Sequence, residues 1–72
     1  MPVISGKEAV RALQKAGFIK ISPKGSHVKL RRSEENISTV IVPLHDELAP
    51  GTLKSILKQA GLTIKELQKL LA

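Results

Sequence analysis

Residues 27–31 read His-Val-Lys-Leu-Arg, with basic and apolar side chains in strict alternation. A period of two belongs to a strand with one face in a core and the other in water. Val28 and Leu30 then point inward, and His27, Lys29 and Arg31 point out. The stretch lies within residues 18–33, which carry Lys20, Lys24, Lys29, Arg31 and Arg32 and no acidic residue. At 72 residues a chain buries only about 60% of its unfolded surface. One domain spanning residues 1–72 is therefore expected, built around this strand. Such a domain has no room for a deep cavity, so a functional site belongs on the surface and acts on a partner larger than the protein.

The flanking sequence says what covers the apolar side. Ser5-Gly6-Lys7-Glu8 is a capping-box pattern, opening a helix that should run to Ala16 and stop at Gly17 in the left-handed region. Ala9, Val10, Leu13 and Ala16 form its apolar face, and Lys7, Arg11 and Lys15 repeat on the other, a row that is also what a solvated face looks like. Phe18 to Ile21 is a short β-type run ending in the turn composition Ser22-Pro23-Lys24-Gly25. If Ile19 and Ile21 join Val28 and Leu30 in the core, Lys20 shares the outer face with His27, Lys29 and Arg31. Ser33-Glu34-Glu35-Asn36 makes the next turn and residues 37–42 a third strand. After the connection Pro43 to Pro50, a helix runs from about Pro50-Gly51-Thr52 to Ala60, ending at Gly61. Thr63-Ile64-Lys65-Glu66 is a second capping box, opening a last helix packed through Ile64, Leu67, Leu70 and Leu71. The expected fold is α+β, in the order α-β-β-β-α-α: a three-stranded antiparallel meander with the basic strand central and the helices on one face.

Composition narrows the function. There is no cysteine, which removes disulfides and thiolate metal sites and suits a cytoplasmic location. Met1 to Ser5 lacks a signal-peptide layout, and no apolar run approaches a membrane span. Twelve Lys and Arg against six Asp and Glu give a net charge of +6, favouring an anionic partner such as nucleic acid, an acidic protein or an anionic membrane surface. With Phe18 the only aromatic residue, base stacking on aromatic platforms is a poor prospect, and contacts to phosphate and ribose must dominate.

Gly25-Ser26-His27 concentrates the chemistry. A histidine exchanges protons near neutral pH, and cations around it can hold a phosphodiester; a histidine at a hairpin mouth is also often only a solvated turn residue. RNA carries its own nucleophile, the ribose 2′-hydroxyl, so a catalyst need only take that proton, stabilise the charged phosphorane and protonate the departing 5′-oxygen. His27 is the candidate for proton transfer, with Lys29 and Lys24 as nearest phosphate contacts and Lys20, Arg31 and Lys7 further out. Ser26 suits a turn hydrogen bond or a phosphate contact; as a nucleophile it is poorly placed, because neighbouring Ser and His side chains rarely point at each other. His45, the other histidine, is a secondary candidate for the leaving-group acid or a solvated loop residue. His45-Asp46-Glu47 is a poor metal site, since three consecutive side chains do not converge. Neither a metal nor an organic cofactor is expected.

Ser5-Gly6-Lys7 with the helix to Ala16-Gly17-Phe18, Gly25-Ser26-His27, Val42-Pro43-Leu44-His45, and Gly51-Thr52-Leu53 through Ile56-Leu57 to Ala60-Gly61-Leu62 together resemble the HicA-type toxins over nearly the whole chain. The resemblance implies a double-stranded-RNA-binding-like fold and a ribosome-independent mRNA interferase whose essential histidine matches His27. It also implies a type II toxin–antitoxin pair with a HicB-like antitoxin that occupies the toxin and represses the shared operon. Two other readings fit the residues. A non-catalytic RNA-binding module of the same fold could use Lys7, Arg11, Lys24 and Lys54 on duplex RNA. A protein-binding module could use the same charge against an acidic partner. A membrane-surface role is weaker, because interfacial helices carry a bulkier apolar face.

Overall fold

The computed structural model describes residues 3–33 and 37–72, the side chains of 22–24 excepted. The turn expected at Glu34-Glu35-Asn36 and the Lys24 side chain lie outside the described residues. The elements are α1 (Gly6–Lys15), β1 (Ile19–Lys24), β2 (His27–Ser33), β3 (Ile37–Pro43), α2 (Pro50–Ala60) and α3 (Ile64–Leu71). The strands form an antiparallel sheet in the order β1-β2-β3, so the fold is α+β with the basic strand in the middle.

Both capping boxes form. The Ser5 hydroxyl accepts the Glu8 N–H at 3.1 Å, and the Glu8 carboxylate accepts the Ser5 N–H at 3.0 Å. Thr63 and Glu66 repeat the exchange at 3.2 and 3.0 Å. The Ser5 backbone N–H, then its hydroxyl and the nearby Arg11 charge, hold the Glu8 carboxyl below its ordinary value of 4.5. α1 ends at Ala16 with Gly17 at φ 100°, and α2 ends at Gly61 with φ 71°; both are conformations that glycine adopts without a Cβ penalty.

The core lies between the sheet and the helices. Val28 and Leu30 of β2 and Val40 and Val42 of β3 meet Ala9, Leu13, Leu53, Ile56, Ala60 and Leu67. Leu48, in the connection read from sequence as a plain loop, is also buried. Of the four α3 residues expected to pack, Leu67 is fully buried, and Ile64, Leu70 and Leu71 pack partly exposed at the rim.

β1 departs from its expected face and its expected end. It continues to Lys24, and the turn shrinks to Gly25-Ser26, with Gly25 at φ 58° in the Gly-first order that matches strand twist. Lys24 pairs with His27 and Ser22 with Lys29, but after Ser22 the register shifts, and Lys20 pairs with Leu30 and Ile19 with Arg31. Without that bulge Lys20 would oppose Arg31 on the outer face. The extra residue reverses the alternation, so Lys20 moves to the helix side, while Ile19 and Ile21 stay exposed at 70% and 44%. The exchange buries Phe18, at 3% exposure the aromatic contribution to the core.

Arg32 closes the end of the molecule away from the Gly25-Ser26 turn. Its guanidinium lies 4.7 Å from the Phe18 ring centroid. It donates to the Ala16 carbonyl at 3.1 Å and to the Ala60 carbonyl at 3.4 Å, the C-terminal ends of α1 and α2. One cation thereby serves two carbonyl ends and two helix dipoles.

Candidate active site and its cationic surfaces

Three segments far apart in sequence converge at the opposite end. His27 begins β2, with Lys24 on one side and Pro43 on the other. The Leu44 N–H donates to the Ser26 carbonyl at 2.6 Å, continuing the β2–β3 ladder past His27. The Gly6 N–H donates to the His45 carbonyl at 2.8 Å, and the Leu48 N–H to the Ile4 carbonyl at 2.8 Å. α1 and α2 therefore both start at this end, and their N-terminal dipoles add positive potential to it. Gly6 is required by the close approach: a Cβ there would run into the Pro43 carbonyl and stand 2.7 Å from the Leu44 Cα.

His27 is exposed on the face opposite the helices, in a row with the exposed Lys29 and Arg31. Neighbours two apart on a strand are separated by roughly 6.7 Å, close to the spacing of phosphates along a nucleic-acid strand. The Ser26 hydroxyl stands 3.4 Å from His27 Nδ1. The two neighbouring side chains thus approach one another, contrary to the expectation from sequence, in a contact long enough to orient the ring rather than bind it tightly. Isoleucines border the basic row: Ile19 and Ile21 on β1, Ile37 and Ile41 on β3, the last two 73% and 52% exposed.

Lys20 and Lys7 are not part of this face. Together with Arg11 and Gln14 they border a shallow groove between α1 and the β1 side of the sheet, with Val10, Val28 and Leu44 lining it as well. Arg11, which also fits a merely solvated row, is drawn into the set by its i+4 spacing from Lys7. The groove meets the first surface at Leu44, through its bond to Ser26. His45 is exposed, and what the structure gives it is backbone work, its carbonyl taking an orphan N–H of α1; Asp46 and Glu47 beside it are exposed. Among the described residues no three His, Asp or Glu side chains gather as a metal site, and no helix is long and apolar enough to cross a membrane.

A small α+β domain with an exposed histidine at the head of a cationic strand offers a surface suited to an anionic partner. Residues 6–62 match the family model described as the HicA toxin of bacterial toxin–antitoxin systems. The chain belongs to the HicA family of mRNA-cleaving toxins, and is the toxin component of such a pair. The matched span begins at the Gly6 contact and includes Ser26, His27, Leu44 and His45. No curated protein matches the chain.

Proposed function

We propose that the protein is a metal-independent endoribonuclease of the cytoplasm that cleaves mRNA at a phosphate held over His27. The observation that carries this reading is the position of His27, exposed beside the Ser26 hydroxyl at the head of the Lys29–Arg31 row, within the span matched to the toxin family. Lys29 and Arg31 supply positive charge to the phosphorane and the next phosphate, with the Gly25-Ser26 turn and Lys24 beside them. Lys20 and Lys7 follow the strand around the β1 edge. His27 moves a proton either from the 2′-hydroxyl or to the departing 5′-oxygen. The 2′-oxygen bonds to phosphorus as the phosphorus–O5′ bond breaks, leaving a 2′,3′-cyclic phosphate and a 5′-hydroxyl. A HicB-like antitoxin covers the same face, the exposed isoleucines seating its apolar residues and the basic row meeting its acidic ones.

The test is a defined transcript incubated with purified protein in excess chelator, beside the same sequence with one 2′-deoxyribose at the cleavage position. Cyclic-phosphate ends from the first and no cut at the substituted position in the second are expected. Cleavage at the deoxyribose, or an absolute need for a divalent ion, contradicts the chemistry. Gel shift without any cleavage favours the non-catalytic RNA-binding reading instead.

A further inference from the structure

The two outer strands of the sheet are unequally protected. Natural sheets guard their edges with charge, proline or a bulge. β1 has all three, in Lys20, Pro23 and the register shift before Ser22. β3, Ile-Ser-Thr-Val-Ile-Val-Pro, has no charged residue, and its proline comes last.

Register fixes what that edge offers. The Leu44 to Ser26 bond makes residues 26 and 44 a hydrogen-bonded pair. In an antiparallel ladder the bonded pairs alternate, so Ser38, Val40 and Val42 face β2 with their backbone groups. Ile37, Thr39 and Ile41 direct theirs outward, and among the described residues none of these outward groups has a hydrogen-bond partner. At Pro43 the edge closes, having no N–H and the Gly6 segment against its carbonyl.

We infer that the β3 edge pairs with the β3 edge of a second copy of this chain, antiparallel and centred on Thr39. Thr39 then faces Thr39 of the other copy, and Ile37 faces Ile41 in both directions. Each of these pairs exchanges two backbone bonds, satisfying every outward donor from Ile37 to Ile41. The four isoleucines become cross-strand neighbours on the outer face. Among the described residues no other register does this: a shift of two toward Pro43 meets the missing N–H and the Gly6 contact, and a shift of two the other way leaves Ile41 without a partner among them. Charge does not oppose the pairing. β3 is uncharged, and the two Lys29–Arg31 rows end about three strand spacings apart, roughly 14 Å, beyond the Debye length of about 8 Å at physiological salt. The contact is isologous and yields a six-stranded sheet with both His27 residues on one face. Confined to the Ile37–Ile41 edge, the contact falls below the roughly 1,200 Å² of a stable interface, so the dimer is weak and reversible.

Sedimentation equilibrium of the whole chain from about 5 μM to about 1 mM tests this. A reversible monomer–dimer equilibrium is expected, lost in Thr39→Pro, which removes only an outward N–H on an edge strand. Because the chain has no cysteine, single thiols give a second readout independent of that variant's folding. Thr39→Cys should form a disulfide-linked dimer at least tenfold faster than Ile37→Cys, whose own copies lie four residues out of register. Wild-type protein monomeric at 1 mM, a dimer that survives in folded Thr39→Pro, or equal cross-linking of the two cysteine variants overturns the proposal. None of these results depends on whether the protein cuts RNA.

Discussion

Arg32 and Arg31 are adjacent and chemically identical, yet the strand sends them to opposite sides. Arg31 joins the outer basic row, while Arg32 binds the ends of two helices and covers Phe18. Arg32→Ala should cost about 2 kcal/mol, the scale of hydrogen bonds to a charged group, and lower the melting temperature by on the order of 10 °C. Arg32→Lys should recover only part of it, since an ammonium lacks the planar fork. Calorimetry of the three proteins decides. The alternation of Val28 and Leu30 already puts residue 32 inward, but nothing local marks the two carbonyls it meets, which come from segments 16 and 28 residues away. Glu8 is the converse case, legible from the capping-box spacing alone. Its folded carboxyl titrates below the ordinary 4.5, so the charged form stabilises the fold. That stabilisation is present above about pH 4.5 and is lost as pH falls through the depressed value. Glu8→Gln should flatten the acid limb of the stability–pH curve; an unchanged limb contradicts this account of the cap.

At the scale of elements, the helices and the central strand were readable because each carries its own signal: capping boxes, terminal glycines and alternation. β1 was not, because its facing depends on one inserted residue. Period two assigns Ile19 and Ile21 to the core, and the bulge gives that place to Phe18, sending Lys20 to the groove side. Phe18 takes its place in a core assembled from all the elements and lies under the Arg32 guanidinium, and no local pattern contains that tertiary packing. The candidate site divides accordingly, with His27, Lys29 and Arg31 on one face and Lys7, Arg11 and Lys20 around the edge. Lys29→Glu with Arg31→Glu should weaken RNA binding at least tenfold and reduce the slope of log affinity against log salt by about 1.4, two phosphate contacts on a single strand. Lys58→Glu with Lys65→Glu changes net charge equally but lies on exposed positions of α2 and α3. Equal losses in both doubles would mean that net charge, rather than the basic strand, binds RNA. The first double should also weaken the complex with the antitoxin.

Across the whole molecule, the two ends do different work. One end ties α1, α2 and β2 together through Arg32; the other brings Gly6, Ser26-His27 and Pro43-Leu44-His45 into one surface. The sequence shows these three motifs in order but not their meeting, because their convergence is made by backbone bonds, Leu44 to Ser26 and Gly6 to His45; the close approach marks residue type at Gly6, but a glycine does not say which segment it meets. His27 could be singled out in advance because a titratable group in a run of cations is visible locally. The most direct measurement is single-turnover cleavage of a defined transcript, in excess chelator, by wild type, His27→Ala and His45→Ala. His27→Ala should fold with stability within about 0.5 kcal/mol of wild type, as for other exposed positions. It should bind RNA nearly as well and cleave at least on the order of 10²-fold more slowly, the lower range for lost acid–base catalysis, with His45→Ala losing less. Cleavage at the wild-type rate by folded His27→Ala would contradict the account.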